Sequence, residues 1–158
     1  MAFRTGRLAN NETGQGYTHF AVFDWEGVNT YSTSAAQAKI AEIPANGAMS
    51  LVTVMPPVVS YAGATDITLD VGTTAGDPDE YIDALDVDGM SAAVSNTGDS
   101  FVQAAGNTTI EAGERPLYVS ADTPVYAEWN GTTGDLTAGE TLILMRIIDP
   151  YTDVRATS

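Results

Sequence analysis

The chain contains no cysteine. That excludes disulfides, thiolate zinc sites and cysteine nucleophiles. It leaves the compartment open and suits a protein made in a cytoplasm whose assembled form outlasts it. Histidine is nearly absent as well, with His19 alone. A lone histidine on a strand builds no Ser-His-Asp or Cys-His unit that sequence can nominate. Positive charge is scarce: six basic residues face 21 acidic ones, for a net charge of −15. Between Lys39 and Arg115 there is no basic residue, while 12 Asp and Glu fall in that stretch. A surface that binds phosphate needs the opposite sign, so nucleic acid is not an expected partner. No run approaches the ~20 apolar residues of a membrane helix, and Met1-Ala-Phe-Arg-Thr-Gly-Arg lacks the apolar centre of a secretion signal. No Walker loop or dinucleotide fingerprint is present, and no cofactor is expected. Gly72-Thr-Thr-Ala-Gly lacks the lysine such a loop needs and opens onto an acidic segment.

What the chain has is strand-forming material. Its 158 residues, 44% apolar, suit one domain with a real core. Many Thr, Val and Ala with 15 Gly and 7 Pro favour short strands and tight turns. Residues 1–16 are polar and hold Arg4 and Arg7, which reads as a flexible N-terminal arm, with a single β-sandwich domain over residues 17–158. Tyr17 to Asp24 alternates as a strand should. Gln37 to Ile43 reads as a strand stopped by Pro44-Ala-Asn-Gly, with Met49 to Met55 running back as its partner. Further strands are expected at Val58 to Ala62, Asp66 to Val71, Phe101 to Ala104, Leu117 to Ser120, Val125 to Trp129 and Thr141 to Ile148. One short helical turn is expected over 78–85, from Asp77 as cap, Pro78 in the first helical position and Glu80 three residues after the cap. The fold class is therefore all-β: an antiparallel sandwich or jelly roll with that one helical turn.

The closing strand is apolar on both faces, Leu142, Leu144 and Ile148 against Ile143, Met145 and Ile147. A sandwich buries one face of each strand within the monomer, so the other must meet a loop or another subunit. The face expected to be the subunit contact is Ile143, Met145 and Ile147. Phe3, Arg4 and Arg7 are expected to order on a partner, the arginines on carboxylates and Phe3 in an apolar pocket. Asp83, Asp86, Asp88 and Gly89 resemble a calcium loop, but the register of an EF-hand fails, because Ala84 and Ser95 fall where carboxylates are required; a calcium site of another kind could draw on Asp77, Asp79, Asp86 or Asp88. No metal site is assigned. Among 21 acidic residues sequence nominates no catalytic pair. Trp25 and Trp129 could line a sugar-binding face, although such rings more often fill a core.

Three stretches carry a resemblance. Ala41-Glu-Ile-Pro-Ala-Asn-Gly-Ala is a strand ending in a turn. Leu69-Asp-Val-Gly-Thr-Thr-Ala-Gly-Asp-Pro-Asp-Glu-Tyr-Ile is a strand leading into an acidic turn. Thr123-Pro-Val-Tyr-Ala-Glu-Trp is followed by Gly134-Asp-Leu-Thr-Ala-Gly-Glu and the closing strand. In this order, over about Lys39 to Asp149, the chain resembles the capsid decoration, or cement, proteins of tailed bacteriophages. The resemblance implies a jelly-roll-like β fold and a non-enzymatic virion protein, synthesised in the host cytoplasm. It further implies a homotrimer on the outer capsid surface that bridges subunits of the major capsid protein. A phage fibre or carbohydrate-binding β-sandwich module is the alternative.

Overall fold

A computed structural model describes residues 3–8, 16–27, 35–95, 117–131 and 136–149. It is built from strands β1 (Phe3–Arg7), β2 (His19–Asp24), β3 (Ala35–Ile43), β4 (Ala48–Val54), β5 (Val59–Ala62), β6 (Thr68–Gly72), β7 (Ile82–Asp86), β8 (Val94–Ser95), β9 (Leu117–Tyr118), β10 (Thr123–Asn130) and β11 (Ala138–Ile148). One helical turn occupies residues 25–27. Asp24 caps it, its Oδ1 accepting from the Gly27 amide at 2.9 Å.

The strands form two antiparallel sheets. The larger runs β1-β2-β11-β4-β8, with β5 beside β11 and β9 beside β4; the smaller runs β3-β10-β6-β7. Pairing is nested: β2 with β11, β3 with β10, β4 with β8 and β6 with β7. The chain is thus a long ribbon folded back on itself and wrapped into two layers, which is the jelly-roll arrangement. Ala21, Phe23, Val52, Val54, Ile143 and Met145 of the larger sheet face Ile40, Leu69, Val71, Ile82, Val125 and Ala127 of the smaller, and all are buried. Phe23 and Trp129 meet across the layers with ring centroids 4.0 Å apart. Each of the Val, Leu, Ile, Phe and Met side chains among them contributes about 1.5–3 kcal/mol when fully buried.

Three expectations are corrected. Residues 78–85 hold no helix. The Tyr81 amide donates to the Val71 carbonyl at 2.8 Å, and Ile82 and Leu85 pair with Val71 and Leu69. Sheet pairing outweighs the capping preference, because an exposed helical turn would leave the β6 edge without those partners. Glu80 does not box a cap either. It accepts from the amides and hydroxyls of Thr73 and Thr74, tying off the β6–β7 loop.

Strands β3 and β4 do not form a hairpin. Asn46 at φ 61° turns the chain from the smaller sheet into the larger one, and the Asn46 amide is held by the Val119 carbonyl. The segment expected as an arm is, over Phe3–Arg7, an edge strand paired with β2 from Phe3↔Phe23 to Arg7↔His19. The strand expected at Phe101 to Ala104 lies outside the described residues.

Candidate docking surface

Alternation along β11 divides its side chains between the core and the outside. Thr141, Ile143, Met145 and Ile147 point inward and are at most 4% exposed. The expectation that Ile143, Met145 and Ile147 form a subunit contact is therefore overturned: they belong to the core of one chain. The outward face is Glu140, Leu142, Leu144 and Arg146. A strand's period separates two faces without saying which one is inner. One more residue at each end of the apolar run carries the missing signal. The Leu face ends in Glu140 and Arg146, the Ile/Met face in Thr141 and Ile147, and charge marks the solvent side.

The outer face of the larger sheet is apolar in its middle. Leu142 lies beside Val22, Leu144 beside Phe20, and Arg146 beside Leu51. These three apolar neighbours and both leucines of β11 are half-buried, and Arg146 is exposed. Phe20 lies over Gly6, where a Cβ would stand 2.8 Å from its ring. Tyr17 crosses the same face and meets the buried Thr53 hydroxyl at 2.7 Å, which also meets Ser95 at 2.7 Å. Arg146 reaches back to the Gly16 carbonyl at 3.1 Å.

The outer face of the smaller sheet has the opposite character. Gln37 donates to Glu128 at 2.8 Å and Asn130 to Asp70 at 2.9 Å. Burial raises the Asp70 carboxyl above the usual carboxylate range, with Asp83 and Glu128 nearby adding to it, against the lowering effect of the Ala84 and Asn130 hydrogen bonds. Among the described residues this face presents a hydrogen-bonded polar surface.

At one end of the larger sheet's outer face lies a cleft of about 290 Å³, lined by Asp24, Trp25, Glu26, Val59, Ala138, Gly139 and Glu140. Pairing builds it: Glu140 stands opposite Asp24 on one side and Val59 on the other. Two carboxylates placed opposite each other repel, a cost a plain sheet avoids. Val58 and Val59 beside the cleft are 73% and 49% exposed. Half-buried Trp25 adds an indole. An indole face amid carboxylates with an aliphatic rim suits a guanidinium or ammonium side chain.

The remaining predicted site residues sit on β1. Arg4 is exposed and pairs in register with Val22, at the edge of the apolar face. Arg7 is exposed, 3.7 Å from Asp149, and its Nε donates to His19 Nε2 at 3.3 Å. Phe3 pairs with Phe23 through the backbone. Trp129, expected as a sugar platform, is 2% exposed, and its indole N–H donates to the Tyr61 hydroxyl. Among the described residues no three His, Asp or Glu side chains group closely enough to hold a metal ion. Asp86, near the suspected calcium loop, accepts from the amides of Asp88 and Gly89 as a turn does.

No family model and no curated protein matches the sequence. Solved structures do. The fold is similar to that of a chain in the cyanophage Pam1 capsid asymmetric unit, with 20% identity, 91% of this chain and 94% of that chain covered, and a TM-score of 0.52. Weaker likenesses are to a chain in the capsid of Ralstonia phage GP4 (17% identity, coverage 91% and 90%, TM-score 0.46) and to one in the acidic stable capsid structure of Helicobacter pylori bacteriophage KHP30 (10% identity, coverage 94% of each, TM-score 0.43). The first likeness establishes the fold: an all-β antiparallel sandwich shared, nearly end to end, with a component of a phage capsid.

Proposed function

We propose that this chain is a structural virion protein that binds the outer surface of a phage capsid as a homotrimer and stabilises the shell by bridging its subunits. The observation that carries the reading is the fold shared with the Pam1 capsid chain over 91% of this chain. The surface supports it. The rim of the cleft offers a basic loop of the major capsid protein charge at Glu26 and apolar contact at Trp25, Val58 and Val59. Arg4 supplies a second, oppositely charged contact at the sheet edge. The lone histidine supports a non-enzymatic role, since both of its ring nitrogens are engaged by Arg7 and Thr18.

Self-association is assigned to the outer face of the larger sheet. Its apolar middle of Phe20, Val22, Leu51, Leu142 and Leu144 runs between an acidic end at Asp24 and Glu140 and a basic end at Arg146. Such a polarised face lets the acidic end of one copy meet the basic end of the next, a head-to-tail contact of the kind that can close into a ring. The alternative, a carbohydrate-binding module, loses Trp129 to the core and keeps Trp25.

The test is sedimentation with capsids. The protein is expected to co-sediment with assembled shells and to raise their melting temperature. A ligand that binds only the assembled state stabilises it by about 2.7 kcal/mol when present at 100 times its Kd. Identical melting of bare and decorated shells overturns the cement reading. Glycan binding that is lost on Trp25→Ala, without shell binding, establishes the alternative.

A further inference from the structure

We propose that His19 and Arg7 form an acid-sensitive latch, which fastens the C-terminal end of β1 to the sandwich and opens when the imidazole is protonated. The proposal rests on this chain's own geometry and stands apart from the virion reading.

Arg7 and His19 are register partners on β1 and β2. The next backbone bond, from the Leu8 amide to the Thr18 carbonyl at 2.8 Å, makes Arg7 and His19 a non-hydrogen-bonded pair, the kind in which side chains stand closest. Arg7 Nε lies 3.3 Å from His19 Nε2. A guanidinium only donates, so Nε2 must accept, and the ring proton must sit on Nδ1. Nδ1 then donates to Thr18 Oγ1, 2.8 Å away.

That hydroxyl already accepts from the Ile147 amide at 2.8 Å and directs its own proton toward the Met145 and Ile147 carbonyls. The chain of bonds runs from an edge strand, through a neutral histidine, to the bulge in the central strand β11, where register shifts between Arg146 and Ile147.

Protonation at Nε2 removes the acceptor and sets two cations side by side. Among the described residues the charged groups facing the ring are few. Arg7 comes from β1; Asp149, following β11, lies 3.7 Å from the Arg7 guanidinium; Thr18 and Met145 are uncharged; Arg146 is turned to the Gly16 carbonyl on the other face. Burial, and then Arg7, hold the His19 pKa below its ordinary value of 6.5. The neutral form is therefore the one that the fold favours. Its contribution is complete above the unfolded-state pKa and is lost as pH falls through the lowered folded pKa. Many groups could anchor Arg7; an imidazole is the anchor that lets go in mild acid.

The experiment uses the full chain. Ring titration of His19 is followed by nuclear magnetic resonance, together with the hydrogen-exchange protection of the Leu8 amide, corrected for the intrinsic exchange rate, between about pH 7 and about pH 4. The neutral ring is expected as the Nδ1–H tautomer. Leu8 protection is expected to fall as His19 titrates, by about tenfold for each pH unit by which the latch lowers the histidine. His19→Gln keeps an acceptor that does not titrate, and should hold Leu8 protection level over that range. Arg7→Met, which leaves the histidine in place, should move the His19 midpoint upward. Leu8 protection that ignores the titration, an equal fall in His19→Gln, or an unmoved midpoint in Arg7→Met would each overturn the proposal.

Discussion

Gly139 interrupts β11 in a bulge, at φ 138°, where a Cβ would stand 2.2 Å from the Tyr61 ring. Only glycine accepts both that conformation and that contact. Its absence of a side chain lets Tyr61 sink to 6% exposure and carry a hydroxyl into the core. There it meets the Thr141 hydroxyl at 2.6 Å and accepts from the Trp129 indole at 3.3 Å. Burial raises the Tyr61 pKa, so the phenol remains protonated and uncharged. Thr141 is fully buried. Removing its partner strands a hydroxyl and an indole N–H away from water. Tyr61→Phe is therefore expected to destabilise the fold by about 1–3 kcal/mol, read from the urea midpoint at constant slope. An unchanged midpoint would show that these buried groups find other partners.

Elements here are held by side-chain ties at the loops as much as by the ladders. The loop from β6 to β7 depends on Glu80, which gathers the amides and hydroxyls of Thr73 and Thr74. A carboxylate that collects amide and hydroxyl donors binds them more strongly than a neutral acceptor does. It also fixes where β7 begins, at the Ile82↔Val71 pair two residues after Glu80. Glu80→Ala should cost about 1–3 kcal/mol and loosen β7 before the central strands. Hydrogen exchange reads this directly: the Tyr81 amide, bonded to Val71, should lose protection while amides of β11 keep theirs. Uniform loss across both strands would mean that the loop is coupled to the whole core.

On the scale of the whole molecule, two sheets enclose one core and show unlike outer faces. The smaller sheet presents paired polar groups; the larger presents half-buried leucines between carboxylates and an arginine. Two substitutions on neighbouring faces of β11 separate folding from association. Ile147→Asp places a charge among core side chains and is expected to unfold the protein or cost several kcal/mol. Leu144→Asp places the same charge on the outer face and is expected to leave the circular dichroism spectrum unchanged while reducing the mass seen by light scattering from three chains to one. A wild-type mass of one chain at micromolar concentration ends the trimer reading. A Leu144→Asp protein that remains trimeric moves the interface elsewhere.

Local pattern was enough to settle the class and most of the strands. Alternation located the strand now seen at His19–Asp24, because period two is a local property of a half-buried strand. Strand-forming runs between turn signals located those at Ala48–Val54, Val59–Ala62, Thr123–Asn130 and Ala138–Ile148. The close spacing of its turns also pointed to an antiparallel sandwich or jelly roll. Three things required the tertiary structure. The pairing of β2 with β11 joins residues as far apart as Val22 and Leu142, and no local pattern encodes such a partner. The helical expectation over 78–85 rested on capping residues, and the free edge of β6 claimed that segment as a strand. The inward face of β11 was set by which residues Ala21, Phe23 and the smaller sheet could enclose. A period has two faces; the opposing layer chooses between them, and along the chain only the charges of Glu140 and Arg146 foreshadow the choice.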